Sequence, residues 1–153
     1  MAINQLKENT VSHHNRLALS LLVMRLSIFL VLLMWTLDKF LRPEHASHVF
    51  EQFYGLSEFT GLWMAVLAIV ELLIILLFVL GLFKGLTYLA VLMFHTISVL
   101  SSYPAYFTPF NGPHLLFFAA IPMWAACLSL YLMRDSDKWL SLSKKKAARN
   151  DLN

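Results

Sequence analysis

The chain has 153 residues, 59% of them hydrophobic and only 14% charged, and its mean hydropathy is +0.66. Ordinary soluble domains carry about 25% charged residues, so this composition excludes a soluble globular fold and points to one polytopic membrane domain. The formal charge of +3 does not indicate nucleic acid, because the basic residues stand at the borders of apolar runs and in a short tail.

Residues 1–15 are polar and are read as a short surface helix or a disordered lead-in, with His13 and His14 just ahead of the first apolar run. Adjacent helical residues point about 100° apart, so this pair is read as solvated histidines and not as a metal site. No small-residue cleavage site follows a short apolar core, and the first span is therefore expected to be retained.

The first span covers about residues 17–40, with Arg25 eight residues in, roughly 12 Å deep. At 100° per residue Arg25, Ile28, Leu32, Thr36 and Lys39 share one face. Trp35, Asp38, Lys39 and Arg42 form an aromatic and charged border, and Pro43 stops the helix. Residues 44–60 are too short and polar to span. Val49, Phe50, Phe53 and Tyr54 make one apolar face opposite His48, Glu51 and Gln52, which predicts a short interfacial helix ending at Gly55. His45 and His48, spaced i,i+3, have no further ligand at fixed spacing and are read as exposed.

The second span, about 61–83, carries a single carboxylate, Glu71, ten residues in and so close to the bilayer midplane. The turn Lys84–Gly85 forces a tight hairpin into the third span, about 86–102. There Tyr88, His95 and Ser102 recur every seven residues with Ser98 beside them, making a polar stripe. The loop Tyr103–Pro113 is aromatic, proline-rich and uncharged, and is expected to lie in the interface. The fourth span, about 114–133, should kink at Pro122. Residues 141–153 read as a basic disordered tail that sets orientation and can meet anionic lipid.

Four spans return the chain to the side on which it began. Nine basic residues (Lys7, Arg16, Lys84, Arg134, Lys138, Lys144, Lys145, Lys146 and Arg149) fall on that side and only Lys39 and Arg42 on the other. The bias predicts four spans with both termini cytoplasmic. The fold class expected is an all-α bundle of four transmembrane helices with an interfacial helix in its first outer loop.

Arg25, Glu71 and His95 come from three spans and fall at similar depth. An intramembrane ionisable group marks a functional site by default, so the three are a candidate cluster, with Tyr88 and Ser98 completing the binding set. One reading is a structural Arg25–Glu71 salt bridge; another is a pocket for a quinone-like head; a third is a proton or ion path. Haem is less favoured, because His95 alone is deep and His114 lies near the outer surface. Met64, Met93 and Met123 with His95 form a conceivable copper set, but methionine in an apolar span is ordinarily packing, and no metal is assigned. Cys127 is the only cysteine, so no intrachain disulfide, Cys-x-x-Cys motif or cysteine-based zinc site exists, and the residue is read as a small apolar filler.

Several short motifs resemble the DoxX-like superfamily of small four-helix membrane proteins, which includes the MauE type. They are Arg25 in the first span with Trp35 and Lys39 at its exit, the stretch Phe50-Glu51-Gln52-Phe53-Tyr54-Gly55-Leu56, and Glu71 followed by Leu80-Gly81-Leu82. The resemblance covers about residues 20–133 and implies a four-helix bundle associated with redox and electron-transport systems. Some members carry out quinone-linked oxidation and others have assembly or accessory roles. The cysteines of disulfide-handling relatives are missing here. The expected partners are the lipid bilayer and a membrane oxidoreductase or a second copy of the chain, with no nucleic acid. A wholly structural assembly or interaction subunit is the rival reading.

Overall fold

A computed structural model describes residues 2–57 and 61–142. Among these residues the fold is all-helical, and four of its helical stretches are long and apolar enough to cross a membrane. Helix α1 (Ala2–Leu41), α2 (Pro43–Tyr54), α3 (Leu62–Val79), α4 (Lys84–Ser101), the short α5 (Tyr103–Phe107), a 3₁₀ segment (Gly112–Ala119) and α6 (Ala120–Leu132) follow in chain order. Helix α1 packs on α3, α3 on α4, α4 on α6 and α6 back on α1, closing an up-and-down ring. One end of the ring holds the α3–α4 turn and the segment after α6. The other holds α2, α5 and the 3₁₀ segment. These are called below the turn end and the loop end.

The core runs through all four long elements. Leu21, Ile28 and Leu32 of α1 meet Ile75 and Phe78 of α3, Tyr88, Val91 and Leu92 of α4, and Cys127 and Leu130 of α6. Phe78 and Tyr88 pack edge to face with ring centroids 4.9 Å apart. The helical face expected on α1 is the one buried: Arg25, Ile28, Leu32 and Thr36 all point inward. The stripe on α4 turns inward likewise, with Tyr88, His95 and Ser102 all buried. Outward-facing leucines, valines and aromatics are abundant, as lipid contact requires.

Several boundaries differ from the sequence reading. The lead-in is one continuous helix with the first span, and residues Val11–Arg16 of it, including His13 and His14, are exposed. Chain breaks follow local chemistry. Arg42 leaves the helical region at φ −137°, Pro43 opens α2 at a position where its missing N–H costs nothing, and Gly55 closes α2 at φ +68°. The Gly55 N–H returns to Glu51 O at 3.1 Å and the Leu56 N–H to Phe50 O at 3.3 Å. In the fourth span, eight residues of 3₁₀ helix give way to α-helix at Ala120, just ahead of Pro122. The proline's missing donor and the change of helix type coincide. Residues 137–142 do not trail away but fold back over the turn end, so Ser141 and Leu142, assigned above to a disordered tail, are bonded to the bundle. The rest of that tail, 143–153, and Glu58 lie outside the described residues.

Candidate functional site

The deepest charge is Arg25, fully buried on α1. A guanidinium removed from water is destabilising unless a counter-ion and acceptors surround it. Its Nη1 donates to Asp137 Oδ2 at 2.9 Å and to Tyr88 Oη at 3.2 Å, and its Nη2 to the Trp139 and Leu140 carbonyls at 2.6 and 3.1 Å. Tyr88 in turn donates its hydroxyl to Asp137 Oδ2 at 2.5 Å. Asp137 is itself fully buried, and its backbone carbonyl accepts from the Lys84 ammonium. The Ser141 hydroxyl donates to Gly81 O at 3.2 Å and the Leu142 N–H to Leu80 O at 2.9 Å. This clasp joins α1, the α3–α4 turn, α4 and the segment after α6.

Gly81 is what lets the clasp close. It adopts φ +64°, and a Cβ there would stand 2.7 Å from Ser141 Oγ and 2.8 Å from Arg25 Nη1. Glycine is required both by the turn and by the approach.

Glu71 has a different partner. Its carboxylate meets the Lys39 ammonium at 2.8 Å, and both side chains are largely buried between α3 and α1. Lys39 also donates to Trp35 O at 3.3 Å, so its stem runs back along α1 toward the membrane interior. At the exit of α1, Asp38 holds Arg42 through Nε at 2.6 Å and His45 through Nδ1 at 2.7 Å, locking the α1–α2 elbow. Beside that elbow is a depression of about 380 Å³ lined by Met34, Trp35, Leu37, Asp38, Leu41, Arg42 and His45.

His95 donates through Nε2 to Ala120 O at 2.9 Å, at the junction of 3₁₀ and α-helix. One turn away, the Trp124 indole donates to Thr96 Oγ1 at 2.9 Å, so two polar bonds tie α4 to α6. Ser98 gives its backbone carbonyl to the hydroxyls of Ser101 and Ser102, at 3.0 and 2.9 Å.

The residues nominated from the sequence therefore do not share one site. Arg25 and Tyr88 are brought together, but with Asp137, not with Glu71. Gly81, close to Arg25, is ten residues from Glu71 along the chain, about 15 Å if the separation is wholly helical. His95 faces α6, and Ser98 contributes its backbone carbonyl to Ser101 and Ser102, away from Arg25 and Glu71. The Arg25–Glu71 pairing is thus corrected. The two groups stand at different heights, Arg25 against Gly81 at the turn end and Glu71 against Lys39 near the exit of α1, so a depth counted along each span separately misplaced them. Asp137, Lys39 as the Glu71 partner, and Gly81 as a packing requirement were missed. Met64 is buried and Met123 packs on the core, whereas Met93 is half exposed. Among the described residues no group of three or more histidine, cysteine or acidic side chains is placed to hold a metal ion. His114 sits in the first turn of the 3₁₀ segment, its Nδ1 2.9 Å from both Thr108 Oγ1 and Thr108 O.

No family model, curated protein or solved structure matches the chain. The likeness to the DoxX-like superfamily accordingly rests on the residues quoted above.

Proposed function

We propose that this chain is a small accessory or assembly subunit of a larger membrane complex, with the DoxX-like resemblance pointing to a redox or electron-transport system as the kind of complex. The observation that carries the reading is the engagement of the deep polar groups. Arg25 and Asp137 bond each other, Glu71 bonds Lys39, and His95 bonds a backbone carbonyl. Side chains so engaged hold helices in register, and a buried ion pair is well suited to fixing one arrangement among several. The outward surface, rich in Leu, Ile, Phe and Trp, is free to meet lipid or a partner helix.

A second reading has one specific support. The depression at the α1–α2 elbow combines apolar walls, Met34, Trp35 and Leu41, with the Asp38–Arg42–His45 group at one side. That is the pattern a quinone-like amphiphile needs, an apolar slot with a few polar anchors. Under this reading the ligand lies at the membrane border and not at the midplane. The basic residues favour both termini on the cytoplasmic side, and the DoxX-like resemblance favours a bacterial inner membrane; reporter fusions at each end would test the orientation.

Mass spectrometry of gently purified full-length protein distinguishes the two functions. A stoichiometric protein partner, lost when exposed apolar residues on α3 or α6 are changed to alanine, is the result expected. Homogeneous protein without a partner, carrying an extractable quinone that Arg42→Ala removes, would replace the first reading by the second.

A further inference from the structure

The turn end has a feature the clasp does not explain. Lys84 is half-buried, yet its ammonium bonds a neutral group, the Asp137 carbonyl, while Arg25 and Tyr88 both bond Oδ2 of the Asp137 carboxylate. No carboxylate among the described residues lies within salt-bridge distance of Lys84. The charged groups that act on it are Arg25, Asp137, Asp135 and Lys138, which with Lys84 itself makes three cations against two carboxylates. The four neighbours balance, so the charge of Lys84 itself is left uncompensated, and a partly desolvated, uncompensated cation attracts an anion.

The apolar surroundings are equally specific. Phe83 and Leu86, near Lys84 in the chain, and Leu140 of the fold-back segment are 70%, 71% and 76% exposed. Phe83 and Leu140 are also the only non-glycine residues at positive φ among the described residues, +47° and +48°. A left-handed conformation disfavours any side chain with a Cβ by about 1–2 kcal/mol. The fold accepts that at two positions, and both carry large apolar side chains exposed at the turn end. Cationic centre and apolar flank lie where the spanning helices end, which is where a phospholipid places its phosphate above its acyl chains.

We propose that the turn end binds one anionic phospholipid, the Lys84 ammonium taking the headgroup phosphate while Phe83, Leu86 and Leu140 lie against its acyl chains. The site is part of the folded bundle and distinct from the basic residues 144–149.

The test is native mass spectrometry of the full-length protein in mild detergent, with equal amounts of phosphatidylglycerol and phosphatidylcholine. Wild-type protein should retain phosphatidylglycerol in preference, at one molecule per chain. A basic residue near an anionic surface contributes about a fivefold affinity, so Lys84→Gln should lower the preference by that factor and Lys84→Arg should keep it. The glutamine amide still has a donor for the Asp137 carbonyl, and an unchanged thermal midpoint would show that the clasp persists. Phe83→Gly relieves the left-handed strain, so it should lower lipid retention without lowering the midpoint. Removal of residues 143–153 should leave the preference in place. The proposal is overturned if Lys84→Gln binds as wild type, or if the preference vanishes with residues 143–153 alone. It is equally overturned if inorganic phosphate competes the lipid away, marking a free-phosphate site, or if a protein partner and no lipid is lost with Lys84 and Phe83.

Discussion

The two ends of this bundle handle charge in opposite ways. At the turn end, Arg25 and Asp137 are both fully buried, and one ion pair is enclosed by a phenol and two backbone carbonyls. At the loop end, Asp38, Lys39, Arg42, His45 and Glu71 form pairs nearer the surface, with Arg42 and His45 open to solvent. The sign of the balance differs as well. Arg25, Lys84, Arg134 and Lys138 outnumber Asp135 and Asp137 at the turn end, whereas Asp38, Glu44, Glu51 and Glu71 outnumber Lys39 and Arg42 at the loop end. A buried pair is costly to break because either partner alone is stranded, whereas a peripheral pair can turn outward to water. The turn end is therefore where stability is concentrated, and the loop end is where the molecule tolerates change.

The sharpest way to break this contrast is Arg25→Leu. It leaves Asp137 buried without its counter-ion and should cost about 3–5 kcal/mol, seen as loss of most folded protein in detergent. Equal tolerance of Arg25→Leu and Glu71→Gln would abolish the distinction between the ends. Gly81→Ala should come next, at about 2–3 kcal/mol, since it adds both left-handed strain and a clash with Ser141 and Arg25. Gly61→Ala is its control at the loop end. That glycine has φ +56° and ψ −120°, a conformation nearly confined to glycine, but open space around its Cβ position. Only a conformational cost of about 1–3 kcal/mol, with no added clash, should appear in the thermal midpoint.

Glu71→Gln should cost about 1–2 kcal/mol, because Lys39 can redirect its ammonium toward the interface. Tyr106→Phe should have the smallest effect. The Tyr106 hydroxyl is buried with no hydrogen-bond partner among the described residues, so its removal should leave stability unchanged or slightly raised. Burial pushes the Tyr106 phenol above its ordinary range. A raised folded-state value means that its contribution is complete below the unfolded value near 10 and is lost as pH rises past it. Tyr106→Phe should accordingly soften the alkaline fall in thermal midpoint.

The elements that periodicity governs were legible beforehand, and the pairings were not. Arg25, Ile28, Leu32 and Thr36 on one buried face follow from a 100° turn per residue, and the Tyr88–His95–Ser102 stripe follows from the same rule. Gly55 as the stop of α2 follows from its freedom at positive φ. Which buried charge meets which depends on the axial offset of each helix as well as its rotation, and a single sequence leaves both open. Arg25 stands level with Gly81, whereas Glu71 stands level with Lys39. Arg25 and Glu71 were matched by depth alone. The clasp was hidden for a further reason: Asp137 reads as one of several border charges, and a fold-back leaves no periodic mark. A signal was present in Trp139, Leu140 and Leu142, apolar residues continuing past the charged border into what otherwise reads as a polar tail.

The clasp also places a clock on assembly. Arg25 and Asp137 are separated by 112 residues of chain. At the usual ~5–20 residues per second of synthesis, Arg25 precedes its counter-ion by about 6–22 s. During that interval the first helix carries an unmatched guanidinium, which favours a shallow or partly inserted position over its final one. The helix can settle only when the segment after α6 arrives, so synthesis of that segment, and not the insertion of the first span, completes the bundle.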